Sequence, residues 1–266
     1  MLEDLKPHIA DLRKRLVNSV IFLLVAFFIC FNFYEPILDW MMIPAKEALP
    51  PNSHMVAMAI EEAFFTAFRV SFFAGFVLSL PFIFWQVWMF LAPGLYDHEK
   101  KLILPFVFFA TLQFVTGALF AYYFVIPTGF SFLITFGSTF VTVLPTIGRY
   151  IEFFTQLLIG FGLSFELPVI IFFFAKIGLV DDRMLKQFFR YAIILILIIA
   201  AILTPTPDVV SQMLMAAPLL ILYGVSIVIA KIVNPASPEE DENEDEAKDW
   251  KSLNLQVTIF IFQMIW

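Results

Sequence analysis

The chain has 266 residues, 61% of them hydrophobic and 15% charged, with a mean hydropathy of +0.89. A soluble domain of this length is about 45–50% apolar, so the composition excludes a soluble globular class and indicates a polytopic membrane protein. The formal charge of -7 misleads, because much of the acid sits in one segment near the C-terminus. The lone cysteine, Cys30, falls in the first apolar segment and reads as a small buried residue. That segment is too long for a cleavable signal peptide, and no small-residue cleavage site follows it.

In chain order, residues 1–15 form a polar amphipathic segment ending in Asp11-Leu12-Arg13-Lys14-Arg15. Six spanning helices are predicted over about 16–34, 63–91, 102–126, 151–175, 191–203 and 211–231, making residues 16–231 the membrane domain. The fifth apolar run reaches roughly 20 Å against a hydrocarbon core of roughly 30 Å. Pro81, Pro105, Pro168 and Pro218 each remove a backbone donor and favour a bend. Bent and unequal helices suggest a concave bundle with short fifth and sixth helices. Residues 232–266 form a tail whose run from Glu239 to Glu246 reads as solvated and disordered. Its end, from Leu253 to Trp266, turns apolar again and is too short to span comfortably.

Basic residues set the orientation. Lys6, Arg13, Lys14, Arg15, Lys100, Lys101, Lys176, Arg183, Lys186, Arg190 and Lys231 fall on one side under this scheme. Lys46 and Arg149 fall on the other. Both termini are therefore expected in the cytoplasm.

The stretch between the second and third spans, W-Q-V-W-M-F-L-A-P-G-L-Y-D-H-E-K-K-L, organises the rest. Pro93 and Gly94 stop one helix, and a very short loop turns the chain back into the membrane. Glu99 and His98 sit in that basic loop, below an aromatic wall of Trp85, Trp88, Phe90 and Tyr96. A carboxylate and aromatics at a membrane mouth suit a cationic peptide with an apolar tail; the plainer reading is an interfacial aromatic belt. Elsewhere, Glu166 lies inside the fourth apolar run, where an ionised group costs on the order of 2.5–3.5 kcal/mol. Such a group is expected to be neutral, paired, or facing a cavity or a partner helix.

Other chemistry is not signalled. No phosphate-binding or dinucleotide-binding glycine loop is present, and no nucleic-acid role is indicated. His98-Glu99 begins like a zinc motif, but Leu102 stands where the second ligand belongs. His8, His54 and His98 are scattered over both sides, so neither a metal site nor an enzyme is expected. A secondary transporter using Glu166 as an ion site predicts an internal repeat, and none is convincing. A pure assembly scaffold predicts no peptide affinity.

Five ordered motifs resolve these alternatives: H-I-A-D-L-R-K-R-L, P-F-I-F-W-Q-V-W-M-F-L-A-P-G-L-Y-D-H-E-K-K, G-A-L-F-A-Y, F-G-L-S-F-E-L-P and T-P-D-V-V-S-Q. Together, over about Pro7 to Lys231, the chain resembles the TatC family, the polytopic receptor subunit of the twin-arginine protein translocase. The resemblance implies binding of twin-arginine signal peptides of folded proteins at the cytoplasmic face of the bacterial inner membrane. It implies assembly with the single-span subunits TatA and TatB, self-association, use of the proton-motive force, and no cofactor. By position, Asp11, Glu99 and Phe90 match family residues at the signal-peptide site, with Arg13 and His98 beside them. Glu166, Gln86 and Gln212 match intramembrane polar positions assigned to partner docking, while Pro44 and Asp208 are further family-motif positions. Three departures stand out: Asp11 replaces the usual glutamate, Thr206 is an extra residue before Pro207-Asp208, and Gly224 stands where many relatives carry glutamate.

Overall fold

In a bilayer a chain must satisfy its backbone polar groups internally, which leaves helices as the way to use such apolar runs. The computed structural model describes residues 2–49, 55–92, 103–137, 144–203 and 209–235, without the side chains of 2–8, 210, 211 and 214. Six of its helical segments are long and apolar enough to cross a membrane. The protein is an all-α, multi-pass membrane protein.

Helix α1 (Leu2–Phe31) is continuous, so the polar segment 2–15 extends the first span as helix. Two short helices follow between the first and second spans, α2 (Tyr34–Met41) and α3 (Ile43–Ala48). Pro36 and Pro44 lie in their first turns, where no backbone donor is needed. Helix α4 (Glu62–Leu91) packs along α1. Gly75 makes that seam close: a Cβ there would lie 2.8 Å from the backbone of Phe27.

The third span is longer than predicted. Helix α5 (Ile103–Phe120) passes through a π-helical turn, Ala121–Val125, into α6 (Ile126–Gly137). Pro127 therefore does not end the span, although its sequence reads as a loop boundary. Widening of the preceding turn gives room for the proline ring that a regular α-turn would deny.

The fourth span is broken at one residue. Helix α7 (Ile147–Phe165) ends at Glu166, which also caps α8 (Leu167–Lys176). Helix α9 (Asp182–Leu203) is 22 residues long, because the amphipathic stretch before Tyr191 is helical too. Asp181 accepts a hydrogen bond from the Met184 N–H at 2.7 Å and so caps its first turn. Helix α10 (Val209–Val233) completes the body. The fifth and sixth spans, at 22 and 19 residues, remain the shortest of the six.

One end of the bundle carries an ordered cap. Here α2, α3, residues 55–61 and the start of α7 meet over a core that includes Met41, Tyr122, Phe130, Tyr150 and Phe154. The Tyr150 hydroxyl donates to the Met41 carbonyl at 2.8 Å, and Trp40 stacks on Tyr122 at 4.5 Å. Val56 pairs with Thr146 in an isolated parallel bridge. Glu62 fastens the whole: one carboxylate oxygen accepts from Met58 N–H, the other from Gly148 N–H, each at 2.7 Å.

Candidate functional site

Two places carry the polar groups that the sequence singles out. The first is the end of the bundle opposite the cap. Asp11 lies on α1, and its carboxylate accepts from Arg15 Nε at 2.7 Å, one helical turn away. Across the α1–α4 seam, Gln86 joins Asp11, Lys14, Arg15 and Asn18 around a recess of about 210 Å3. Residues 75 positions apart in sequence thus share one small polar hollow.

Phe90, one turn further along α4, is half-buried. Trp88 is not part of an open aromatic wall. It is buried, stacked on Phe106 at 4.6 Å with Phe173 edge-on at 4.5 Å, so it anchors α4 to α5 and α8. Trp85 stays exposed. Glu99, His98, Tyr96 and Asp208 lie outside the described residues. Arg13 points to a neighbouring, shallower groove of about 530 Å3, lined also by Ile9, Ala10, Lys14, Val17 and Asn18. Lys14 and Asn18 border both hollows.

The second place is Glu166, between α7 and α8. It is 5% exposed, and its Oε1 atom has no hydrogen-bond partner among the described residues. Helix geometry explains the site. Pro168 cannot donate to the carbonyl of Ser164, which interrupts the ladder and turns the chain at Glu166. Beside it, α5 and α7 run almost backbone to backbone, because a Cβ at Gly117 would lie 2.6 Å from the Phe161 carbonyl oxygen. Both the seam and the break therefore hold the carboxyl in an apolar surround against α5.

The remaining positions have local roles. Gln212 donates to the Leu197 carbonyl at 3.0 Å, within its own chain. Gln156, which the sequence reading did not single out, does the same to Ile202 at 2.8 Å. These two amides hold the last turns of the short α9 from α10 and α7. A glutamine in an apolar run was the available signal. Pro44 is buried in the first turn of α3 and belongs to the cap. A side chain at Gly224 would meet nothing within 4 Å, so the position is open. Among the described residues, no three acidic, histidine or cysteine side chains come together as a metal site.

Comparison with known proteins then decides the family. The family described as Sec-independent protein translocase protein (TatC) matches residues 7–218. The chain belongs to the TatC family. It is 51% identical over 247 residues to the Sec-independent protein translocase protein TatC of Campylobacter jejuni, covering 92% of this chain and all of that protein. It is 50% identical to the TatC of Helicobacter pylori strain J99, covering 92% of this chain and 96% of that one. A crystal structure described as the twin arginine translocase receptor TatC superposes with a TM-score of 0.77 at 34% identity. That match covers 85% of this chain and 99% of the other. TatC membership makes the chain a component of a protein translocase.

Proposed function

We propose that this chain is the receptor subunit of a twin-arginine translocase in the inner membrane, with both termini cytoplasmic. It binds the signal peptides of folded proteins at the mouth formed by Asp11, Gln86, Phe90 and the loop with His98 and Glu99. The observation that carries this reading is the recess that brings Asp11 and Gln86 together from separate spans. Two acids at one mouth favour arginine over lysine, because a guanidinium fork gives a carboxylate two parallel hydrogen bonds and an ammonium does not.

Arg15 is the residue paired with Asp11 within α1. A part-buried pair one helical turn apart contributes on the order of 1 kcal/mol or less, so an incoming arginine can exchange for it. Glu166 serves a second contact, with TatA or TatB, whose polar side chain supplies the missing hydrogen bond. Transport draws on the proton-motive force, with several copies assembled together.

The test is peptide binding to the receptor in membranes. Glu99→Ala and Asp11→Ala should each weaken a twin-arginine peptide more than a twin-lysine one. Asp11→Glu should be tolerated. Equal losses for both peptides would reject the fork.

A further inference from the structure

Near the cap, the seam between α4 and α7 carries charge on the outside of the bundle. Arg69 of α4 places Nη1 3.5 Å from Oε2 of Glu152 on α7. Arg149, one turn before Glu152, places its own Nη1 3.5 Å from the same oxygen. Two guanidiniums thus share one carboxylate oxygen, which leaves one positive charge in excess. A guanidinium carries five donors in a planar fork, so one long contact engages a small part of either. All three side chains reach the surface: Arg69 and Glu152 are about half-exposed, and Arg149 is 85% exposed.

Depth identifies the surroundings. Helix α4 and the span from Ile147 to Lys176 have 30 residues each, about 45 Å of helix against a hydrocarbon core of roughly 30 Å. Their first turns therefore stand in the headgroup layer. Arg69 lies about 10 Å from the start of α4 and Glu152 about 8 Å from the start of α7, close to the level of the phosphates. Phe65 and Phe72, one turn above and one below Arg69 on the same face of α4, are exposed. The charge thus sits on a surface that faces lipid, where ionised groups are costly and tend to have a use. Glu61 and Glu62 stand two turns higher, and both oxygens of Glu62 are held by the Met58 and Gly148 N–H groups.

We infer that Arg69 and Arg149 form a binding site for an anionic phospholipid in the leaflet at the cap. The phosphodiester offers two oxygens to the guanidinium forks, and the acyl chains run over Phe65 and Phe72. The excess charge selects a headgroup without a cation of its own, because a choline group would add a like charge to the site. Glu152 competes with the phosphate, and exposed ion pairs are weak enough to yield to it. The site requires only that the chain spans a bilayer, so it stands apart from the receptor reading above.

The experiment uses the full chain in phosphatidylcholine vesicles doped with a photoactivatable phosphatidylglycerol, or with the same probe bearing a choline headgroup. Mass spectrometry of the digest should place adducts within 65–72 and 149–156, several-fold more with the glycerol probe. Arg69→Gln combined with Arg149→Gln should remove that excess. Those changes also cut the tie between α4 and α7, so Glu152→Gln is the deciding variant. It cuts the same tie but frees both guanidiniums, and the adduct should rise by about 1.5- to 5-fold, the range an exposed ion pair accounts for. A fall with Glu152→Gln, matching the arginine variants, would make the trio a mere clamp between helices and overturn the lipid site. Equal yields from the two probes would overturn it as well. So would loss of the adduct to inorganic phosphate but not to chloride at equal ionic strength, which marks a site for the free anion. A photoreactive residue at Phe72 that captures protein and no lipid in native membranes would give the surface to a partner helix instead.

Discussion

Two glutamates in this bundle meet opposite treatment. Glu62, at the cap, places each carboxylate oxygen on a backbone N–H, and the Gly148 partner lies 86 residues away. Glu166, in the middle of a span, is 5% exposed and leaves Oε1 unpartnered among the described residues. A satisfied carboxylate holds a fold together, whereas a buried carboxylate oxygen without a partner costs stability. The cap is thus completed by its own chain. The bend at Glu166 is completed, on the functional reading above, by a partner.

Breaking the cap should give the largest effect. Glu62→Ala strands two backbone donors and should lower the melting temperature of the purified protein by several degrees. Glu62→Gln keeps one acceptor and should lose less; equal melting of all three forms would remove Glu62 as the fastener. Next comes the seam that links the cap to the mouth. Gly75→Ala drives a methyl into the Phe27 backbone and should cost roughly 1–3 kcal/mol, with loss of peptide binding as α1 shifts off α4. Gly224→Ala, which meets nothing, is the control and should be silent in both assays.

The opposite sign is expected at the bend. Glu166→Leu removes a buried polar group and should stabilise the isolated chain by roughly 1–3 kcal/mol in a denaturation series. A loss there would mean that the carboxyl is already satisfied, and the contrast with Glu62 would collapse. The smallest effect should be Tyr150→Phe, which deletes one buried hydrogen bond to Met41 and costs about 1 kcal/mol.

Much of this was legible in the sequence, for identifiable reasons. Six apolar runs announce six spans, because hydropathy alone fixes a membrane helix. Glu166 was legible too, since a charge inside such a run is costly and rare. Pro127 was misleading: the π-turn before it accommodates the ring, and nothing in A-Y-Y-F-V marks a π-turn. The first half of α9 was hidden because D-R-M-L-K-Q-F-F-R is amphipathic and reads as a basic loop. Glu62 could not be found at all. Its role depends on Gly148, a partner that no local pattern connects to it. The pairing of Asp11 with Gln86 in one recess was equally non-local, although each residue was picked separately through the family resemblance.

The most direct measurement is co-purification of TatA and TatB from membranes with the parent chain, Glu166→Gln and Glu166→Ala, beside peptide crosslinking from Phe90. Glu166→Gln should retain the partners, because an amide still hydrogen-bonds. Glu166→Ala should lose them several-fold while peptide crosslinking at the mouth is unchanged. Normal partner recovery with Glu166→Ala, above all if crosslinking at Phe90 falls instead, would contradict the assignment of the open carboxyl to a partner.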